Sequence, residues 1–167
     1  MIKTNTKIGD VFSVKVGDNT EKYFQYIAND LTQLNSDVIR AFTKEFSINE
    51  KPTLEEIISG DVEFYAHCVT KFGLKMKLWE KVGNIPFNGK VEVFFRGTND
   101  YGKMVGGAPV KVSDDWYVWK INDKDFTKIG KLTIEYQKAE IGVVVIPQDI
   151  VDRMTTGKYN FVHPHFE

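Results

Sequence analysis

The chain has 167 residues, with 22 lysines and arginines against 23 aspartates and glutamates, and its formal net charge is −1 at pH 7. This length is enough for one domain with its own core, without a disulfide or metal to stabilise it. A near-neutral chain lacks the strong field with which DNA or an anionic membrane attracts a protein, so we expect binding to depend on local surface.

Cys68 is the only cysteine, and its place in an apolar run favours a small core residue over a reactive thiol. The first ten residues contain no apolar run typical of a signal peptide, and no segment approaches the ~18 apolar residues of a membrane-spanning helix. These features predict a cytoplasmic protein without a membrane partner. We expect a single domain over residues 1–167, with its core at about 7–155 and a C-terminal tail at 156–167.

The chain opens with two alternating apolar runs around the turn Gly17-Asp18-Asn19. In the first run, one face carries the apolar side chains Phe12, Val14 and Val16. The return run, residues 23–28, has apolar side chains on both faces. Because side chains alternate across a strand, this pattern predicts a β-hairpin whose second strand is covered on both sides. Residues 38–44 alternate in the same way and predict a third strand.

Two segments have the end signals of helices. Residues 52–60 begin with Pro and Thr before two acidic residues and end at Gly60, and residues 147–157 have a Pro near the start and a Gly at the end. The first helix should be only one or two turns long. Residues 73–82 fit a strand and a helix equally well, as short apolar runs often do.

Further period-2 or β-branched runs predict more strands, with a turn at 106–109: residues 61–70, 90–97, 115–122, 132–136 and 141–146. Together these elements predict a predominantly β fold of the α+β class. We expect a strongly curved antiparallel sheet or partial barrel of about seven strands, with one short internal helix and a C-terminal helix.

Motifs that carry chemistry are few. His163 and His165 offer two imidazoles, but only His67 remains elsewhere, and no cluster has ligand spacing, so we predict no metal and no cofactor. The aspartates of segments 114–115 and 123–125 could act as an acid and a base, but their role in turns explains them more simply. No serine lies in a Gly-x-Ser-x-Gly context, and we predict no catalytic residue.

Several short motifs occur in a recognisable order, followed by the predicted C-terminal helix: Gly9–Phe12, Tyr23–Ile27, Pro52–Ile57, Trp79–Pro86 and Trp116–Trp119. In this order, across roughly residues 7–155, the chain resembles the Immunity protein 26 family, whose members are predicted immunity proteins of bacterial polymorphic toxin systems. The resemblance implies a cytoplasmic antitoxin whose partner is a cognate toxin domain. Such a protein neutralises the toxin by occlusion and needs no catalytic group.

A loop is where variable recognition is expected, so we predict partner contacts in and beside the loop that follows residue 98. The predicted contact residues are Asn99, Asp100, Tyr101, Lys103, Asp114, Asp115 and Tyr117. Two other functions stay open. A small β-barrel that binds nucleic acid would use a basic groove with an exposed Phe94 or Tyr117, and a hydrolase would join an Asp or Glu to His67 in a pocket.

Overall fold

The computed structural model of the protein describes residues 4–167. Its helices are α1 (Leu54–Ile58), α2 (Thr70–Lys75) and α3 (Pro147–Thr156). Its strands are β1 (Asp10–Lys15), β2 (Thr20–Asp30), β3 (Ser36–Phe42), β4 (Phe46–Ser47), β5 (Val62–Cys68), β6 (Glu80–Asn84), β7 (Phe94–Thr98), β8 (Met104–Val105), β9 (Ala108–Pro109), β10 (Trp116–Lys120), β11 (Thr127–Gly130), β12 (Glu140–Ile141) and β13 (Val144–Val145).

The strands form two larger sheets and one small hairpin. The main sheet has seven strands, in the order β13-β5-β3-β2-β1-β6, with β4 also paired to β2. The second sheet has the order β11-β10-β7-β12, and β8 pairs with β9 alone. The predominantly β α+β class and the C-terminal helix are therefore confirmed. Within residues 4–167 the sheets do not close into a barrel, and two pairings, β13 with β5 and β12 with β7, are parallel.

The predicted opening hairpin lies within the main sheet, with β2 near its centre and β1 next to the edge strand β6. Strands β1 and β2 are antiparallel, with Phe12 opposite Phe24. As predicted, β2 is covered on both faces. On one face, α3 contributes Ile150 and Met154 to a core that also contains the buried Cys68. The other face has a smaller core, which consists of Val11, Tyr23, Phe42, Phe46 and Ile57.

A third apolar cluster joins the two sheets. Ile27 and Val38 of the main sheet pack against Phe95 and Trp119 of the second sheet. Gly142 lies against Trp119, where an added Cβ would come within 1.9 Å of the indole ring, so only a glycine allows this approach. The second sheet is thus packed on the main sheet through its own buried aromatic residues.

The helix signals were accurate. Thr53 caps α1 in a reciprocal capping box with Glu56, and Gly157 ends α3 with φ of 83° in the left-handed region. The ambiguous segment 73–82 contains both structures, because the end of α2 is followed by the start of β6. Within residues 4–167, no helix combines the length and apolar character needed to cross a membrane.

Two strand predictions need correction. Residues 132–136 were expected to form a strand, but they lead into a turn closed by hydrogen bonds from the Tyr136 and Gln137 amides to the Thr133 carbonyl. Residues 141–146 were expected to form one buried strand, but the chain crosses here between the sheets. Strand β12 pairs with β7 and β13 pairs with β5, so the β-branched run serves two sheets.

Candidate functional site

The predicted contact loop projects from the second sheet, between the end of β7 and the start of β10. Strands β8 and β9 form a hairpin within it, closed by Gly106 and Gly107. The φ angles of these glycines are 58° and 79°, and both central positions of a tight hairpin turn of this kind need positive φ. We refer to residues 104–109 as the hairpin tip.

The base of this loop is ordered by Ser113, whose side chain is almost fully buried. Its hydroxyl lies 2.6 Å from the Thr98 hydroxyl and 2.7 Å from a carboxylate oxygen of Asp100. The second Asp100 oxygen accepts a bond of 2.8 Å from the Lys103 ammonium. The hydrogen bonds from Lys103 and Ser113 lower the pKa of Asp100 and keep it ionised.

A second contact closes the loop at its neck. The Asn99 side-chain amide donates to an Asp115 carboxylate oxygen at 3.0 Å, and the Asn99 backbone amide donates to the Asp115 carbonyl. Asp114 is exposed beside this pair, and the Tyr101 ring lies 5.0 Å from the ring of His163. Six of the seven predicted contact residues therefore lie in this one loop, between β7 and β10.

Tyr117 lies apart from the other predicted contact residues. Its ring is on the opposite face of β10 from the buried Trp116 and lies across Gly97, where an added Cβ would approach the Tyr117 ring to 2.5 Å. It stacks on Trp119 at 5.9 Å and packs against Phe126 at 4.5 Å. Burial raises the pKa of its hydroxyl. The structure thus gives Tyr117 a place against the cluster between the sheets.

The hairpin tip exposes apolar side chains that the sequence analysis did not select. Met104 is 60% exposed, Val105 is 70% exposed, and Val112 at the return of the loop is 56% exposed. Tyr101, which was selected, is 46% exposed. Apolar residues beside the Gly106-Gly107 pair are a usable sequence signal, because a tight exposed turn holds its neighbours away from the core.

The groups required by the alternative functions lie elsewhere. His67 binds Asp30 at 2.9 Å, but neither side chain has exposed surface. Burial lowers the pKa of His67, which keeps the imidazole neutral. The Asp30–His67 pair also connects the two sheets, because Asp30 accepts a hydrogen bond from the Trp119 indole at 3.1 Å. Phe94 is half-buried against Tyr136. Among residues 4–167, no group of three or more His, Cys, Asp or Glu side chains is placed to hold a metal ion.

Comparison with known proteins identifies no relative of the chain. No family model, curated protein or solved structure matches the chain. The resemblance to the Immunity protein 26 family therefore stays a prediction, and the exposed loop is the structural feature that bears on function.

Proposed function

We propose that the protein is an immunity protein that binds a bacterial toxin domain and neutralises it by occlusion, without catalysis. The observation that carries the proposal is the exposed apolar hairpin tip on an ordered base. Met104 and Val105 present apolar surface to solvent, while Ser113 and Asp100 fix the base of the same loop. The resemblance to the Immunity protein 26 family supplies the kind of partner.

The arrangement of the loop favours protein binding for two physical reasons. When a partner covers exposed apolar side chains, the complex is stabilised by about 25 cal/mol for each Å² of apolar surface removed from water. A base already ordered by hydrogen bonds reduces the entropy lost on association. Lys103, Asp114 and Asp115 are exposed in the same loop and carry both signs of charge, and such charges orient a partner and speed its approach.

A hydrolase is less well supported. Its predicted base, His67, has no exposed surface, and the carboxylate beside it, Asp30, is equally buried. A general base must come within hydrogen-bond reach of the group that it deprotonates. This pair is instead used to hold the two sheets together.

The test is co-expression of this chain with the toxin domain encoded beside its gene. We expect the intact chain to restore growth and to form a stable complex with the purified domain. The double change Met104→Asp and Val105→Asp should weaken the complex by about a hundredfold or more, because binding would then desolvate two carboxylates.

The matched control is the double change Leu31→Asp and Ile134→Asp. These side chains are 69% and 82% exposed and lie outside the loop, so this variant should bind the toxin as tightly as the native chain. Equal loss of binding in both variants would contradict a contact through the hairpin tip. Absence of a toxin gene beside this gene, together with failure to bind toxin domains of related systems, would contradict the immunity function.

A further inference from the structure

A cleft of about 590 Å³ lies between the second sheet and the C-terminal tail. One wall is formed by Arg96 of β7, Lys111 and Ile141, and the other wall is formed by residues 158–165. Its polar lining is strongly basic and consists of Arg96, Lys111, Lys158, Tyr159, His163 and His165. The proposed toxin contact does not use this cleft.

The tail that forms the second wall is held in place by backbone pairing. The His165 amide donates to the Lys111 carbonyl at 2.7 Å, and the Ser113 amide donates to the His165 carbonyl at 2.9 Å. Val112 and His165 thereby form a parallel bridge. This backbone pairing holds the tail segment of His163 and His165 beside the segment that carries Lys111.

The cations of the cleft form no close ion pair within residues 4–167. No carboxylate of residues 4–167 lies within 4.0 Å of the charged groups of Arg96, Lys111 or Lys158. Glu140 lies near Arg96, but its carboxylate is paired with Arg153 at 3.4 Å. Unpaired cations that share a concave surface create a positive field, and low-dielectric walls strengthen it.

Arg96, which lines the cleft, is held in place by several contacts. One terminal nitrogen donates to the Gln137 carbonyl at 2.7 Å, and the guanidinium lies over the rings of Trp116 and Phe166 at 5.6 and 5.3 Å. Its Nε atom is buried without a hydrogen-bond partner in the described part of the chain, and its Nη2 atom, which is not buried in this way, also donates to no group there. A guanidinium that is fixed by stacking and retains free donor capacity is suited to an anionic ligand.

His163 has a similarly unpaired nitrogen. The side chain is only 8% exposed, and its ring packs against Tyr101 and Trp116. Its Nδ1 atom lies 3.1 Å from the Pro164 carbonyl, which can only accept, so Nδ1 carries a proton. Its Nε2 atom has no partner in residues 4–167. Burial lowers the pKa of His163, and the charges of Arg96 and His165 act in the same direction.

We propose that this cleft binds a small molecule that carries a phosphate monoester, with the phosphate at Arg96, Lys111 and Lys158 and an aromatic or apolar body against Tyr159 and Phe161. A dianionic phosphate matches several unpaired cations better than a singly charged carboxylate does. The cleft has the volume of a typical small-molecule site, which is about 300–1,000 Å³.

The first experiment titrates phenyl phosphate, inorganic phosphate and benzoate into the purified full chain at pH 7, without any toxin. Calorimetry measures affinity, and the NMR signals of the His163 ring report the place of binding. We expect saturable binding of phenyl phosphate, weaker binding of inorganic phosphate, and binding of benzoate that is weaker by about tenfold or more. The bound phosphate should raise the pKa of His163, because it stabilises the imidazolium.

The second experiment uses variants. The double change Lys111→Gln and Lys158→Gln should weaken phenyl phosphate binding by about tenfold or more, since it removes two exposed cations without disturbing the core. Lys128→Gln on β11 removes another exposed lysine, outside the cleft, and should leave the affinity unchanged. Both variants should keep the native melting temperature.

Three results would overturn the proposal. They are the absence of saturable phenyl phosphate binding, an equal loss of affinity in Lys128→Gln, and binding of a single-stranded oligonucleotide that is more than tenfold tighter than that of phenyl phosphate. The last result would assign the basic cleft to nucleic acid. None of these results depends on a toxin, so failure of this proposal and failure of the immunity function are distinguishable.

Discussion

The main sheet and the projecting loop of residues 98–115 use their side chains in opposite ways. In the main sheet, β2 is buried on both faces, and its residues serve packing. In the loop, hydrogen bonds order the base through Ser113, while the tip presents Met104 and Val105 to solvent. The difference shows that apolar content alone does not locate a core: the same residue types stabilise one region and form a candidate contact surface in the other.

A buried polar junction links the main sheet to the second sheet, which carries the loop. Asp30 accepts hydrogen bonds from His67 and from the Trp119 indole, and all three side chains are almost completely buried. The second sheet that carries the loop is therefore fixed to the main sheet by a packed and hydrogen-bonded junction. Changes at this junction should alter stability, and changes at the hairpin tip should alter binding.

The largest expected effect is that of Trp119→Ala at the junction. The change removes an indole that is 1% exposed, leaves a cavity beside Phe95, and takes a donor away from Asp30. We expect the free energy of unfolding to fall by about 3–5 kcal/mol in urea denaturation. Ile134→Ala, at a side chain that is 82% exposed, should change it by less than about 0.5 kcal/mol. Similar losses in the two variants would remove the distinction between buried junction and surface.

The next effect is that of Ser113→Ala at the base of the loop. This change removes the hydroxyl that contacts Thr98 and Asp100 and that accepts from the Asp115 amide. We expect a loss of about 1–3 kcal/mol by thermal or urea unfolding, because buried partners lose a hydrogen bond. Hydrogen exchange of the amides of residues 99–103 should also accelerate. Ser59→Ala, at an exposed serine, is the control and should leave that exchange unchanged.

The junction should also be sensitive to acid. Burial lowers the pKa of His67 from its usual value of 6.5. For Asp30, burial by itself raises the pKa, but the hydrogen bonds from His67, Trp119 and nearby backbone amides outweigh it, and the pKa is lowered. In both cases the unfolded chain binds more protons than the folded chain, so stability falls as the pH falls. For His67 this loss begins below about pH 6.5, and for Asp30 only in stronger acid.

Urea denaturation at pH 7.5 and 5.5 measures this effect. One proton taken up by the unfolded chain alone corresponds to a slope of at most about 1.4 kcal/mol per pH unit. His67→Gln keeps a donor for Asp30 and removes one titrating group, so the difference between the two pH values should become smaller. Leu31→Gln, at a side chain that is 69% exposed, leaves the titrating groups unchanged and should retain the native difference. A wild-type protein that is equally stable at both pH values would contradict a lowered pKa for His67, because the folded and unfolded chains would then bind protons equally.

The smallest expected effect on stability is that of Met104→Asp at the hairpin tip. The side chain is 60% exposed, so the free energy of unfolding should change by less than about 0.5 kcal/mol. Circular dichroism and urea denaturation check this expectation. A loss of more than about 2 kcal/mol would mean that the tip packs against the domain, and the proposed contact surface would then be part of the core.

Prediction from sequence worked best where pattern and local signals agree. Alternation around the turn at residues 17–19 located the β1–β2 hairpin, and the Pro147 and Gly157 signals located α3. Both are local properties, because side-chain period and end-capping chemistry depend on neighbours in the chain. The loop that carries Asp100 and Tyr101 was located for a related reason, since its glycines and polar residues interrupt the strand pattern.

Other features depend on residues that are distant in the chain. The run at 141–146 has one apolar pattern but pairs with two sheets, because its first part pairs with β7 and its later part pairs with β5. His67 alternates like any strand residue, but its partner Asp30 is 37 residues away. The basic cleft likewise exists only because the tail returns to pair with Lys111.

Four features follow from the sequence alone, because each depends on contacts between near neighbours in the chain: the predominantly β class, the opening hairpin, the two capped helices and the position of the projecting loop. Other features arise only when the chain folds: the order of the strands, the burial of Asp30 and His67, the exposure of Met104 and the assembly of the cleft. These features follow from which surfaces exclude water together, and a side-chain pattern specifies an apolar face without specifying what covers it.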